Sequence, residues 1–105
     1  MDVARMQQNG PKAVNLLKAM ANEKRLFILC YLLQGELSVG QLVDRVPLSQ
    51  SALSQHLAWL RKDGLVATRK EAQTVYYSLK SDEVEAVIQL LHDLYCKETV
   101  DSPNP

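Results

Sequence analysis

The sequence predicts a mainly α fold with one small β-hairpin, in the order α-α-α-α-β-β-α, and three observations carry that reading. Two short helical periods are separated by Pro47-Leu48, and the second opens at Ser49. Gly64 stops that second helix, and two alternating runs, Leu65–Lys70 and Thr74–Leu79, follow it. A further amphipathic helix opens at Ser81. Helix, turn, helix and hairpin in that order make a winged helix-turn-helix. With 105 residues the expectation is a single domain over 1–105, with an ordered core at 10–98 and loose ends at 1–9 and 99–105.

Each element has a local cause. Pro11–Met20 reads as a helix with Val14, Leu17 and Met20 on one stripe, and Gly10-Pro11 either starts it or interrupts a longer helix from near Val3. Asn22 caps a second helix, Glu23–Leu33, whose Leu26, Leu29, Cys30 and Leu33 recur at i, i+3, i+4, i+7. Gly35 ends it. Ser38 caps a short third helix with Val39, Leu42, Val43 and Val46 inward, and Pro47 stops it. Ser49 caps the fourth, Gln50–Asp63, with Leu53, Leu57 and Leu60 inward. The two strands are joined by a turn at Glu71-Ala72-Gln73. The last helix carries Val84, Val87, Ile88, Leu91, Leu94 and Tyr95 on one stripe, and Asp82 and Glu83 stand in its first turn, where the helix dipole favours acids.

Composition narrows the function. Apolar residues make up 47% and charged residues 23%, an ordinary globular balance. No apolar run approaches the roughly 20 residues of a membrane span, and Met1–Gly10 lacks the apolar centre of a signal peptide, so the expectation is a cytoplasmic chain without membrane contact. Two cysteines there do not make a disulfide scaffold. The net charge of zero conceals an asymmetry: residues 49–80 carry five Lys/Arg against two Asp/Glu, and residues 81–105 carry one against six. The middle of the chain can face phosphates while its end faces elsewhere.

The fourth helix is the informative one. Opposite its apolar stripe, the first two turns present Gln50, Ser51, Ser54 and Gln55. Gln pairs bidentately with adenine and Ser suits several base edges, and recognition helices place such N-terminal residues in the major groove. Taken alone the helix reads more readily as a polar surface, and the hairpin shifts the balance. Arg69, Lys70, Gln73 and Thr74 gather at its tip, suited to phosphate or minor-groove contact, and Arg61 and Lys62 end the helix near the backbone. His56 is expected to hydrogen-bond within the unit and Trp59 to pack.

The runs Glu36-Leu37-Ser38-Val39-Gly40-Gln41-Leu42, Leu48 to Leu57 and Leu60-Arg61-Lys62-Asp63-Gly64-Leu65-Val66 resemble the ArsR/SmtB family of bacterial dimeric repressors, and the likeness extends from Ala13 to Cys96. It is strongest to the persulfide-sensing members. The resemblance implies base contacts from Gln50, Ser51, Ser54 and Gln55, a homodimer through the first and last helices, and a near-palindromic double-stranded operator. It also implies that Cys30 and Cys96 form a dithiol switch bridged by reactive sulfur. The family's metal sites are not matched. Ser38 and Gly40 stand where one site needs Cys-x-Cys, and Val84 and Tyr95 stand where another needs His beside Asp82 and Glu98, so no metal and no cofactor are expected.

Other readings of the same residues stay open. By residue type alone each cysteine reads as a small buried hydrophobe, in which case the regulator works by competing with another DNA-bound protein. His92, one turn before Cys96, admits a thiol enzyme or a Cys30, His92, Cys96 zinc site, but no oxyanion-forming turn or third orienting residue supports catalysis. A protein-interaction module on the same scaffold is a third class.

Overall fold

In the computed structural model, which describes residues 1–96, five helices and a three-stranded sheet follow in the order α1 Val3–Met20, α2 Glu23–Leu33, β1 Leu37–Ser38, α3 Val39–Arg45, α4 Gln50–Lys62, β2 Val66–Glu71, β3 Thr74–Leu79 and α5 Asp82–Tyr95. Glu98 and the end expected to be loose, 99–105, lie outside the described residues.

The N-terminal helix takes the longer of the two courses the sequence left open. Residues 3–9, expected to be loose, are helical, which selects the alternative of one helix from Val3 with Pro11 inside it. The cause is local: the Asp2 carboxylate accepts from the Arg5 N–H at 3.0 Å and caps the helix. Pro11 costs one backbone donor without ending the helix. The inward residues also differ. Ala19 and Met20 are buried, whereas Val14 and Leu17, placed on the expected stripe, are exposed.

Asn22 caps α2 by accepting from the Lys24 and Arg25 N–H groups. Ile28, Leu29 and Leu32 form its buried row, and Cys30 is only half-buried. Ser38 caps α3 in a reciprocal box, its hydroxyl accepting from the Gln41 N–H while its own N–H donates to the Gln41 side chain. Val46 is buried at the turn that follows. Ser49 accepts from the Ala52 N–H to start α4.

The end of α4 is a Schellman closure. Gly64, at φ +80°, lets the Leu65 N–H reach the Leu60 carbonyl at 2.9 Å while the Gly64 N–H reaches the Arg61 carbonyl at 3.1 Å. Leu60 and Leu65 both enter the core. The chain thus leaves the helix directly into the wing.

The wing is a sheet, not a lone hairpin. Leu37 and Ser38 pair with Tyr77 and Tyr76, so the strand order is β1-β3-β2, all antiparallel. A two-residue edge strand carries no period and was not foreseen. The β2–β3 register sets Arg69 opposite Tyr76 and Glu71 opposite Thr74, leaving Ala72-Gln73 as a two-residue turn instead of three. On α5, Val84 and Ile88 are buried, Val87 and Leu91 half-buried, and Leu94 and Tyr95 exposed. No described helix is long and apolar enough to cross a membrane.

Candidate nucleic-acid interface

The candidate recognition surface rests on one buried helix face. Leu53, Leu57 and Leu60 are 1%, 2% and 0% exposed, which fixes α4 about its axis. The opposite face then puts Gln50, Ser51, Ser54 and Gln55 into solvent. None of the four is charged. The Ser51 hydroxyl lies 3.3 Å from the capping Ser49 hydroxyl, so Ser51 is partly engaged by the cap. Arg61 and Lys62 are exposed in the last turn of the helix, and neither meets a carboxylate among the described residues.

α4 is held from behind by a residue the sequence reading passed over. The half-buried Arg25 of α2 donates to the Ala19 carbonyl at 3.3 Å, lies 3.9 Å from the Asp63 carboxylate at the end of α4, and stacks over the Trp59 ring at 5.0 Å. His56 meets the same ring edge-on at 5.6 Å. The expected hydrogen bond of His56 is not made: its Nδ1 is buried without a partner. Burial, with the Arg25 and Lys24 charges nearby, pushes the imidazole down from its ordinary pKa. Trp59, expected to pack, does so on one side only, against Arg25 and His56, and remains 40% exposed. The signal for Arg25 was weak because its partners are six to 38 positions away along the chain.

At the wing, Lys70 and Gln73 are exposed, and Lys70 has no ion pair with a described carboxylate. Arg69 differs. Its Nε donates to both oxygens of Glu36, at 3.0 and 2.8 Å, and its Nη2 to Oε1 at 2.8 Å. Glu71 adds a contact at 3.6 Å. The pair drives the Glu36 carboxyl below its usual pKa and raises Arg69. Arg69, expected to face phosphate, has therefore already been given its counter-ion.

Both cysteines are free thiols, Cys30 half-buried on α2 and Cys96 exposed at the end of α5. Cys96 is thus not the buried hydrophobe its residue type suggests. Burial raises the Cys30 thiol above the ordinary pKa, and the charge of a Cys96 thiolate raises it further. A cleft of about 370 Å³ beside Cys30 is lined by Phe27, Tyr31, Gln34, Pro47 and His92. It joins α2, the turn before α4 and α5. His92 lies 3.7 Å from Asp93. Among the described residues no three His, Cys, Asp or Glu side chains are grouped to hold a metal ion.

Comparison with known proteins places this geometry. Residues 22–68 match the family described as bacterial regulatory protein, arsR family. The transcriptional activator HlyU of Vibrio cholerae is 69% identical over 97 residues, covering 92% of this chain and 90% of that protein. The solved reduced HlyU from Vibrio cholerae superposes with a TM-score of 0.82 at 71% identity, over 89% of this chain and 98% of that one. The transcriptional repressor BigR from Xylella fastidiosa superposes with a TM-score of 0.86 at 32% identity, over 93% of this chain and 100% of that one.

Proposed function

Since this chain belongs to the arsR family of bacterial regulatory proteins and is a DNA-binding transcriptional regulator, we propose that it reads a near-palindromic duplex as a homodimer and that Cys30 and Cys96 control its affinity. The observation that carries the first half is the uncharged row Gln50, Ser51, Ser54 and Gln55, free in solvent at the start of a helix whose other face is buried. These groups take base edges in the major groove, while Arg61, Lys70 and Gln73 take the backbone on either side.

What supports a dimer is apolar surface that one chain leaves uncovered. Val14 and Leu17 on α1 and Leu90, Leu94 and Tyr95 on α5 are all exposed, Tyr95 to 81%. Two such faces paired about a two-fold axis set the recognition helices about 34–36 Å apart, one turn of duplex. Sedimentation at micromolar concentration is expected to find a dimer, and a stable monomer overturns this half.

What supports the switch is the packing of α5, which ends at Cys96, against α2, which carries Cys30, and the cleft running from Cys30 to Pro47 at the helix-turn-helix. A hydropolysulfide supplies the oxidising equivalents. One thiolate attacks its sulfur chain and expels hydrosulfide, and the second attacks the resulting persulfide, closing the bridge and expelling another hydrosulfide. Both electrons leave on sulfide. Joining α2 to the end of α5 changes how the recognition unit is held against the dimer-forming helix, and a few kcal/mol between competent and incompetent states is enough to switch occupancy. Treated protein is expected to carry an intrachain Cys30–Cys96 bridge by mass spectrometry and to release duplex, with Cys30→Ser or Cys96→Ser abolishing the response. Because its pKa is raised, Cys30 holds less thiolate at neutral pH than an ordinary cysteine, so its alkylation accelerates on the alkaline side. Free thiols after treatment, or unchanged affinity once bridged, overturn the switch and leave DNA binding standing.

A further inference from the structure

Arg69 reaches across the sheet instead of outward. It stands on β2 opposite Tyr76 of β3, and Tyr76 in turn faces Ser38 of β1. One face of the sheet therefore carries Arg69, Tyr76 and Ser38 in a row, with Glu36 two residues before Ser38 on that same face. The guanidinium lies over the Tyr76 ring at 4.3 Å and continues past the central strand to grip the Glu36 carboxylate from two nitrogens.

An exposed ion pair ordinarily contributes little. This one has the exceptional geometry: a two-nitrogen fork on a carboxylate, with the guanidinium plane supported by an aromatic ring. The side chains are 50% and 34% exposed, so neither is shut away from water. Their places in the chain give the pair its consequence. Glu36 directly precedes β1, and β1 runs into the Ser38 cap of α3, the first helix of the helix-turn-helix. Arg69 directly precedes Lys70 on the strand leading to the wing tip. The pair thus fastens the outer wing strand β2 to the root of the recognition unit, across the central strand β3.

We propose that Arg69 is a positioning residue. Through Glu36 and Tyr76 it sets the tilt of the wing against the helix-turn-helix, so that Lys70 and Gln73 meet the DNA backbone while Arg69 itself touches no phosphate. The inference rests on the DNA-reading function proposed above. A direct contact requires phosphate to displace a carboxylate that already holds Arg69 by two nitrogens, with Glu71 as a second anion beside it.

The test measures binding of wild type, Glu36→Gln, Arg69→Gln, Arg69→Lys and the Glu36→Gln/Arg69→Gln pair to a duplex that the wild type enriches from a random pool, over a range of salt. Each single Gln variant is expected to weaken binding on the order of tenfold, and the pair no further, as two members of one contact. The slope of log K against log salt stays at the wild-type value in all of them. Lys at position 69 keeps the charge without the fork and fails to rescue. A Glu36→Gln variant that binds more tightly, a slope reduced by about 0.9 in Arg69→Gln, or rescue by Arg69→Lys overturns the positioning role. Failure of the wild type to bind duplex overturns the DNA reading with it, whereas the other three outcomes strike the positioning role alone.

Discussion

The start of α4 and the tip of the wing are both polar and exposed, but they hold their polarity differently. On α4, four neutral side chains stand on a face fixed by three buried leucines, and their hydrogen-bonding groups are largely uncommitted. On the wing, half of the conspicuous Arg69-Lys70 charge is spent inside the molecule on Glu36 and Glu71. A basic pair in a sequence is therefore not a pair of available cations. In this protein the uncharged surface keeps its hydrogen-bonding groups open, whereas one of the two adjacent wing cations, Arg69, is held by internal carboxylates.

The largest effect comes from the support under the reading face. Leu57 is 2% exposed between α4 and the core, and Leu57→Ala is expected to cost about 2–5 kcal/mol through lost burial and a cavity. Thr74→Ala, at the exposed start of β3, is expected to stay within about 0.5 kcal/mol. Urea unfolding measures both, and comparable losses would mean that the wing tip is as integral to the core as the recognition helix.

Next in size is the reading itself. Gln50→Ala is expected to remove on the order of 1–3 kcal/mol of discrimination between the selected duplex and random DNA, leaving random-DNA binding nearly intact. Titration of both duplexes at one salt concentration checks it. Equal weakening on both would move Gln50 from the base edge to the backbone and dissolve the division between the two regions.

How far this was legible follows from the range of each cause. The face of α4 was readable because Leu53, Leu57 and Leu60 announce it within three turns, and the caps at Asn22, Ser38 and Ser49 act on residues two or three positions away. The helix at 3–9 stayed one of two alternatives because Val3 and Met6 are exposed and show no stripe to an internal core, although Asp2 was there to cap it. The Glu36–Arg69 contact joins positions 33 apart through the unforeseen β1, so no local pattern points to it. For the two cysteines, periodicity identified the helices, but the burial that raises the Cys30 thiol is a product of tertiary packing, with α5 lying against α2.

A smaller effect isolates the remaining cation of the wing. Lys70 has no described carboxylate within ion-pair distance, so Lys70→Ala is expected to weaken selected and random duplexes alike and to reduce the salt slope by about 0.9. Beside the unchanged slope expected for Arg69→Gln, this separates two adjacent basic residues by one measurement. An unchanged slope for Lys70→Ala would leave the wing without an electrostatic role.

The smallest effect concerns the turn that carries these side chains. The hairpin closes with only Ala72 and Gln73 between paired Glu71 and Thr74, and Ala72 takes φ +54°. Two-residue hairpin turns of matching twist need positive φ at their first central residue, which is why glycine, asparagine and aspartate dominate them. A left-handed conformation costs an ordinary L-residue roughly 1–2 kcal/mol because Cβ crowds the following carbonyl. Replacing Ala72 with Gly removes that strain but frees the unfolded chain, which takes back about 0.4–1 kcal/mol. The net expectation for Ala72→Gly is a gain of about 0.5 kcal/mol, or about 2–4 °C in Tm for a domain of this size. Ala72→Val should move the other way, since a β-branched side chain fits positive φ worse than alanine. If DNA binding needs the tip held rigidly, the glycine variant will be more stable by calorimetry and yet bind duplex more weakly. Unchanged or lower stability would show that the alanine sits in that conformation without strain, leaving wing orientation to the Glu36–Arg69 pair.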